Sequence, residues 1–166
     1  MSRVCNKRKS SFLTRYNFRV ANKKKIGIFG GTFDPPHNGH LSLLRHVIEE
    51  LSLDKVIVTV ANEPWQKTSS RRITDRDHRF NMTKLLFEEC DNVIVSDIEF
   101  RIGGETSTAK TLDELRLEYP ADEFWLILGL DSAVNFDTWR RPQSIVEEAR
   151  VVIVSRPGFV EEPLSP

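Results

Sequence analysis

The sequence predicts an α/β fold, a Rossmann-like, doubly wound parallel sheet in a single domain. Two observations carry that expectation. Five short apolar runs alternate with stretches whose apolar residues recur at helical spacing. Such alternation implies parallel strands joined by right-handed helical crossovers. The second observation is the turn Gly30-Gly31-Thr32-Phe33-Asp34-Pro35-Pro36-His37-Asn38-Gly39-His40 between the first strand and the first helix. In an open α/β sheet this turn lies at the carboxyl end of its strand, where such folds bind ligands.

The elements follow in order. Lys25–Phe29 is the first strand, and a helix over about 38–51 repeats Leu41, Leu44, Val47 or Ile48, and Leu51 on one face. Lys55–Val60 is a nearly continuous apolar run of the kind parallel sheets bury on both sides. A polar loop, 61–74, carries Pro64, Trp65, Lys67 and Arg71-Arg72. Thr74 and Asp77 read as a capping box for a helix over about 75–89, with Phe80, Met82, Leu85, Leu86 and Phe87 as core contacts. A strand over 92–98 precedes a second long loop, 99–108, containing Gly103-Gly104. A helix over 108–118 buries Ala109, Leu112 and Leu115 and stops at Tyr119-Pro120. A strand over 123–128, a short helical segment, a helix over about 143–149 and a strand over 150–155 complete the pattern.

Composition narrows the class of protein. A chain of 166 residues with 39% hydrophobic and 29% charged residues is ordinary for one globular domain. No apolar run approaches a membrane span, so no membrane partner is expected. Two cysteines, Cys5 and Cys90, fit a reducing, cytoplasmic location. The formal net charge of zero hides an asymmetry, because residues 1–25 hold nine Lys or Arg and no acid. The acidic remainder argues against nucleic acid as a partner. Residues 1–24 are expected to be a basic, disordered extension, with an organelle transit peptide as the alternative, and 25–166 the folded domain.

The turn reads as a phosphate site. Paired glycines admit a phosphate close to the backbone, and the following helix offers free N–H groups and a partial positive charge. The glycine spacing is not that of a dinucleotide fold, and no Gly-Lys-Ser/Thr follows as in a P-loop. Gly-Gly-Thr-Phe-Asp-Pro-x-His-x-Gly-His instead resembles the nucleotidyltransferase superfamily with the His-x-Gly-His signature. Pro64-Trp65-Gln66-Lys67, Gly103–Leu112, Gly129-Leu130-Asp131-Ser132, Phe136-Asp137-Thr138-Trp139 and Arg156-Pro157-Gly158 extend the resemblance to the bacterial nicotinate-nucleotide adenylyltransferases, over roughly residues 25–158.

That resemblance implies transfer of AMP from ATP to nicotinate mononucleotide, giving deamido-NAD and pyrophosphate in NAD synthesis. Catalytic roles fall to His40, His37 and Lys67. Gly30, Gly31, Thr32 and Phe33, with both histidines and Asp131, hold ATP. Ser107 and Thr108 hold the nicotinate carboxylate, Trp139 stacks on the pyridine ring, and Asp131 reaches a ribose. Mg²⁺ arrives with ATP, and His37-x-x-His40 lacks a third ligand at metal spacing. Competing readings stay open: Lys67 as a solvated loop lysine, Trp139 as a core tryptophan, Asp131 as a helix N-cap. His46 and His78 read as ordinary helix residues. Oligomeric state is not fixed.

The sequence departs from the family at Ser107 and Lys110. No residues after Gly158 match the family's closing Ile-Ser-Ser-Thr-x-Ile-Arg segment, so a C-terminally shortened enzyme is expected. The alternatives are a catalytically weak ATP-binding remnant, or a phosphopantetheine adenylyltransferase, whose family usually has Thr where His37 stands.

Overall fold

The computed structural model describes residues 23–63 and 72–155. The expectations for the basic extension through Asn22, for Pro64, Trp65, Gln66, Lys67 and Arg71, and for the chain from Arg156 onward lie outside these residues.

Five parallel strands form one sheet in the order β3-β2-β1-β4-β5. They are β1 (Lys25–Gly31), β2 (Lys55–Val60), β3 (Val93–Ser96), β4 (Glu123–Gly129) and β5 (Ala149–Val154). Register follows strict alternation of side chains. Ile26 and Ile28 of β1, with Phe124, Leu126 and Leu128 of β4, enter one apolar cluster. Phe29 of β1, with Val56, Val58 and Val60 of β2, enters the other. A parallel sheet buried on both faces needs helices on both sides. The second cluster packs under α1 (Asn38–Leu51) and α2 (Arg76–Leu86). The first packs under α4 (Thr108–Glu118) and α6 (Pro142–Glu148), through Leu112, Leu115 and Ile145. Leu44 and Ile145 are fully buried, and each such side chain contributes about 1.5–3 kcal/mol.

Chain order places the site. From β1 the chain runs outward through β2 to β3, then returns to the other side of β1 as β4 and β5. The direction reverses between β1 and β4, which pair in register from Lys25 with Glu123 to Ile28 with Leu126. Their carboxyl ends, Gly30-Gly31 and Gly129, diverge beyond that pairing. A crevice at this switch point is where open α/β sheets bind ligands.

Several elements differ from the expectation. The segment 99–108 is not one loop, because α3 (Ile98–Ile102) occupies its start. Ser96 Oγ accepts the Ile98 N–H at 3.2 Å, which ends β3 early and lets Ile98 enter the core. Asp75, not Thr74, caps α2, accepting from the Asp77 N–H at 2.8 Å. The inward face of α2 carries Arg79, Thr83 and then Phe87, while Leu85 is 70% exposed. Asp131 lies in the first turn of α5 (Leu130–Ala133), and the N-cap is Gly129. Among the described residues no helix is long and apolar enough to cross a membrane.

Candidate active site

The β1–α1 turn is packed by its own residues. Thr32 and Phe33 are buried. Phe33 adopts φ 49°, an uncommon backbone state for a bulky residue that surrounding packing must hold. Its ring turns back beneath Gly31, where a Cβ would stand 2.9 Å from it. The same ring meets Phe29 and His40 edge-on, at centroid separations of 5.7 and 5.1 Å.

Both histidines are fixed by α1. His37 is the N-cap residue in an extended conformation, and its carbonyl accepts the His40 N–H at 2.9 Å. In return the His37 N–H donates to His40 Nδ1 at 3.2 Å. A ring nitrogen that accepts carries no proton, so neutral His40 is the tautomer protonated at Nε2, a donor. The two rings stack at 3.8 Å with a 32° tilt. Gly39 permits this, since a Cβ there would sit 2.9 Å from His37 Nδ1. The first turn of α1 contains no acid, so the positive end of its dipole is not offset locally.

Two clefts flank the switch point. The larger, about 1330 Å³, runs over the β1–α1 turn and the start of α5. The smaller, about 190 Å³, lies against the start of α4 and Trp139. They share Gly30, Gly31, Thr32, Gly129 and Ser132, so one strip of backbone forms the boundary between them.

The residues singled out in the sequence divide cleanly. Gly30, Gly31, Thr32, Phe33, His37, His40 and Asp131 line the larger cleft. Ser107, Thr108 and Trp139 line the smaller one. Lys67 falls outside the described residues. Ser107 caps α4, its Oγ accepting from the Lys110 N–H at 3.4 Å. The helix N-terminus there presents backbone donors to the cleft. Trp139 is half-buried against the apolar cluster, 5.4 Å from Phe136, and also lines the cleft.

Other lining residues were not foreseen. His46, read as an ordinary helix residue, lines the larger cleft. Gly39, Ser42, Leu43 and His46 stand at i, i+3, i+4 and i+7, one face of α1, and that spacing was available in the sequence. Glu99 and Arg140 line the smaller cleft, and Arg140 pairs with Glu105 at 2.5 Å. Glu99 is 8% exposed, and burial raises its carboxyl above the usual carboxylate range. Behind the turn lies Arg79, 1% exposed. Burial lowers its pKa, opposed by Asp34, Asp75 and Glu99. Its guanidinium remains a cation. Neither charge was legible in the sequence, where each looks like a solvated helix or loop residue. Among the described residues, no group of three or more His, Cys, Asp or Glu is placed to hold a metal ion.

Known proteins share this architecture and sequence. Residues 28–165 match the Cytidylyltransferase-like family. A Clostridium tetani protein named "Probable nicotinate-nucleotide adenylyltransferase" is 38% identical over 136 residues, covering 82% of this chain and 68% of its own length. One of the same name from Geotalea daltonii is 39% identical over 140 residues, covering 84% and 64%. The chain thus spans about two thirds of the length of these curated relatives. A Vibrio parahaemolyticus crystal structure with the same adenylyltransferase designation superposes with a TM-score of 0.66 at 26% identity, over 83% of this chain and 81% of that one. The Plasmodium falciparum nicotinic acid mononucleotide adenylyltransferase complexed with NaAD matches in fold, with a TM-score of 0.71 at 22% identity over 84% and 68%.

Proposed function

We propose that this chain, which belongs to the Cytidylyltransferase-like family and within it to the nicotinate-nucleotide adenylyltransferases, joins ATP to nicotinate mononucleotide, giving deamido-NAD and pyrophosphate. One observation carries the proposal. Two clefts meet along a shared glycine strip at the switch point, one lined by a helix-start phosphate cradle and the other by a helix N-terminus and an indole. Such a pair suits two nucleotides that must meet phosphate to phosphate.

MgATP occupies the larger cleft as substrate, and its Mg²⁺ would offset phosphate charge there. Backbone N–H groups of the turn and the N-terminus of α1 face its phosphates. Nicotinate mononucleotide occupies the smaller cleft. Its pyridine stacks on Trp139, and its carboxylate meets the amides of Ser107 and Thr108. Asp131 contacts a ribose from the start of α5. A phosphate oxygen of the mononucleotide attacks the α-phosphorus of ATP in line. The new P–O bond forms as the bond from the α-phosphorus to the α,β-bridging oxygen breaks, and pyrophosphate leaves with that electron pair. No protein nucleophile is needed, so rate comes from positioning and charge stabilisation. His40 donates through Nε2 to the phosphates as negative charge moves toward the leaving group, and His37 lies beside it. A cytoplasmic location suits both substrates.

Incubation with MgATP and nicotinate mononucleotide, followed by mass spectrometry, tests the reaction. Equal amounts of deamido-NAD and pyrophosphate are expected. A folded protein that binds ATP and forms no dinucleotide contradicts it. Turnover only with phosphopantetheine as acceptor would assign the site to a different adenylyl transfer.

A further inference from the structure

Arg79 and Glu99 are buried charges that the reaction above does not use. The Arg79 guanidinium spreads its donors over three separate segments. Nε donates to Thr74 O at 2.8 Å, one terminal nitrogen to Thr32 O at 2.8 Å, and the other to Asn62 O at 3.3 Å. Thr32 belongs to the phosphate-binding turn, Asn62 follows β2, and Thr74 precedes α2. Only a planar fork reaches three carbonyls in this way.

Asn62 continues the connection toward the smaller cleft. Its side-chain Oδ1 accepts from Arg76 at 2.7 Å, and its Nδ2 donates to Gly104 O at 2.9 Å. Its backbone amide acts on the Glu99 carboxyl, favouring the carboxylate against burial. Glu99 also accepts from Thr106 Oγ1. Thr111 Oγ1 lies 3.4 Å from Glu99 Oε1 and 3.2 Å from the Ser107 carbonyl. Gly104 and Thr106 thus anchor the loop that delivers Ser107 to the start of α4. Both glycines of that loop have positive φ, and a Cβ at either would meet nothing within 4 Å. Hydrogen bonds from Asn62 and Glu99, together with the Glu105–Arg140 pair, hold this stretch.

We propose that Arg79 and Asn62, with Glu99, are positioning residues that hold the phosphate-binding turn and the acceptor loop in one register. The connection runs from Thr32 through Arg79 and Asn62 to Gly104 and, through Glu99, to Thr106. None of the three is assigned a contact with substrate. Each acts by fixing the distance between two groups of substrate-binding amides. Its kinetic consequence rests on the adenylyl transfer proposed above. In-line transfer is steep in that distance, since a displacement of about 1 Å can cost about a hundredfold in rate.

Hydrogen exchange of the full chain tests the connection without any substrate. Asn62→Ala removes the side-chain bonds to Gly104 and Arg76 and keeps the backbone carbonyl that receives Arg79. Amides of Gly104–Thr108 should therefore exchange about tenfold faster, with strand amides of β1 and β4 unchanged. Acceleration confined to residues beside position 62 would overturn the proposal. Kinetics supply the second readout. Asn62→Ala should lower kcat by about ten- to a hundredfold, with both KM values within about twofold of wild type. Unchanged kcat, or a loss carried wholly by one KM, would also overturn it. Thr106→Val should reproduce part of the kcat loss, while Thr106→Ser, which keeps the hydroxyl to Glu99, should restore it. Arg79→Lys keeps the charge but not the fork, so exchange should rise at Thr32–Asp34 as well as at Gly104–Thr108. If it does not fold, Asn62→Ala and the Thr106 pair decide alone. Wild-type protein without turnover would remove the proposed reaction and leave the exchange experiment decisive.

Discussion

The two clefts on either side of the β1–β4 switch are built in opposite ways. The larger takes most of its lining from one contiguous stretch, residues 29–46, where a strand end, a glycine turn and a helix start are adjacent in the chain. The smaller is assembled from segments far apart in sequence: Thr59, Glu99, Thr106–Thr108, Leu126–Gly129 and Trp139. Its geometry depends on buried hydrogen bonds between those segments. A contiguous site is specified by local backbone chemistry, whereas a dispersed one is specified by how the elements pack. Substitutions in the first should therefore strike chemistry with little effect on folding, and those in the second should strike acceptor use.

The largest effect is expected at His40. It is held by Phe33, His37 and a backbone N–H, with Nε2 as its donor. His40→Ala should lower kcat by about 10²–10³-fold, the scale for losing one donor to developing charge. The thermal midpoint should move little, and calorimetric scanning checks that. A large drop in the midpoint would make His40 structural and erase the contrast between the clefts.

Trp139→Ala comes next. It should raise the KM for nicotinate mononucleotide by about ten- to thirtyfold through loss of stacking area, and leave the KM for ATP alone. Steady-state kinetics with each substrate varied in turn decide this. Equal losses for both substrates would show that the clefts are not separable.

A smaller effect is expected at Gly39. The added methyl of Gly39→Ala would meet the His37 ring at 2.9 Å and displace it from His40. A turnover loss of about three- to tenfold is expected, within the range for misplaced catalytic groups. Unaltered turnover would separate the His37–His40 stack from function.

The smallest effect is a pH slope. Burial raises the Glu99 pKa in the folded state, so folding favours its protonated form. That stabilisation is present below the unfolded value of about 4.3 and is lost as pH rises through the higher folded value. Glu99→Gln stays neutral, so wild type should lose stability relative to it across that interval. The charge facing Glu99 from α2 is Arg79, which does not titrate there. Denaturant midpoints of both proteins across that interval measure the difference, and parallel curves would contradict it.

The same contrast governs what could be read from the sequence. The spans of α1, β2 and α4 were predicted as the structure has them, because each carries its own period and stop signals. The place of the turn between β1 and α1 was legible for the same reason. The inward face of α2 was read in part: Phe80, Leu86 and Phe87 pack against the core as expected, but its most buried positions are Arg79 and Thr83, where apolar residues were sought. Arg79 can be buried because three carbonyls from distant segments receive it, and no local pattern encodes those partners. Glu99 was placed in a loop because Ser96 stops β3 through a single side-chain bond. His46 was overlooked although its helical spacing from Gly39 was visible. Ser107, Thr108 and Trp139 were reached through family resemblance, since no local pattern links residues 107 and 139.

The most direct test compares kcat/KM for pyrophosphate release with MgATP and three acceptors: nicotinate mononucleotide, nicotinamide mononucleotide and phosphopantetheine. Amides at the start of α4 favour an anion, so the carboxylate-bearing acceptor should react at least about tenfold faster than its amide. No pyrophosphate above background from folded, ATP-binding protein, or a preference for either other acceptor, would contradict a nicotinate-nucleotide adenylyltransferase.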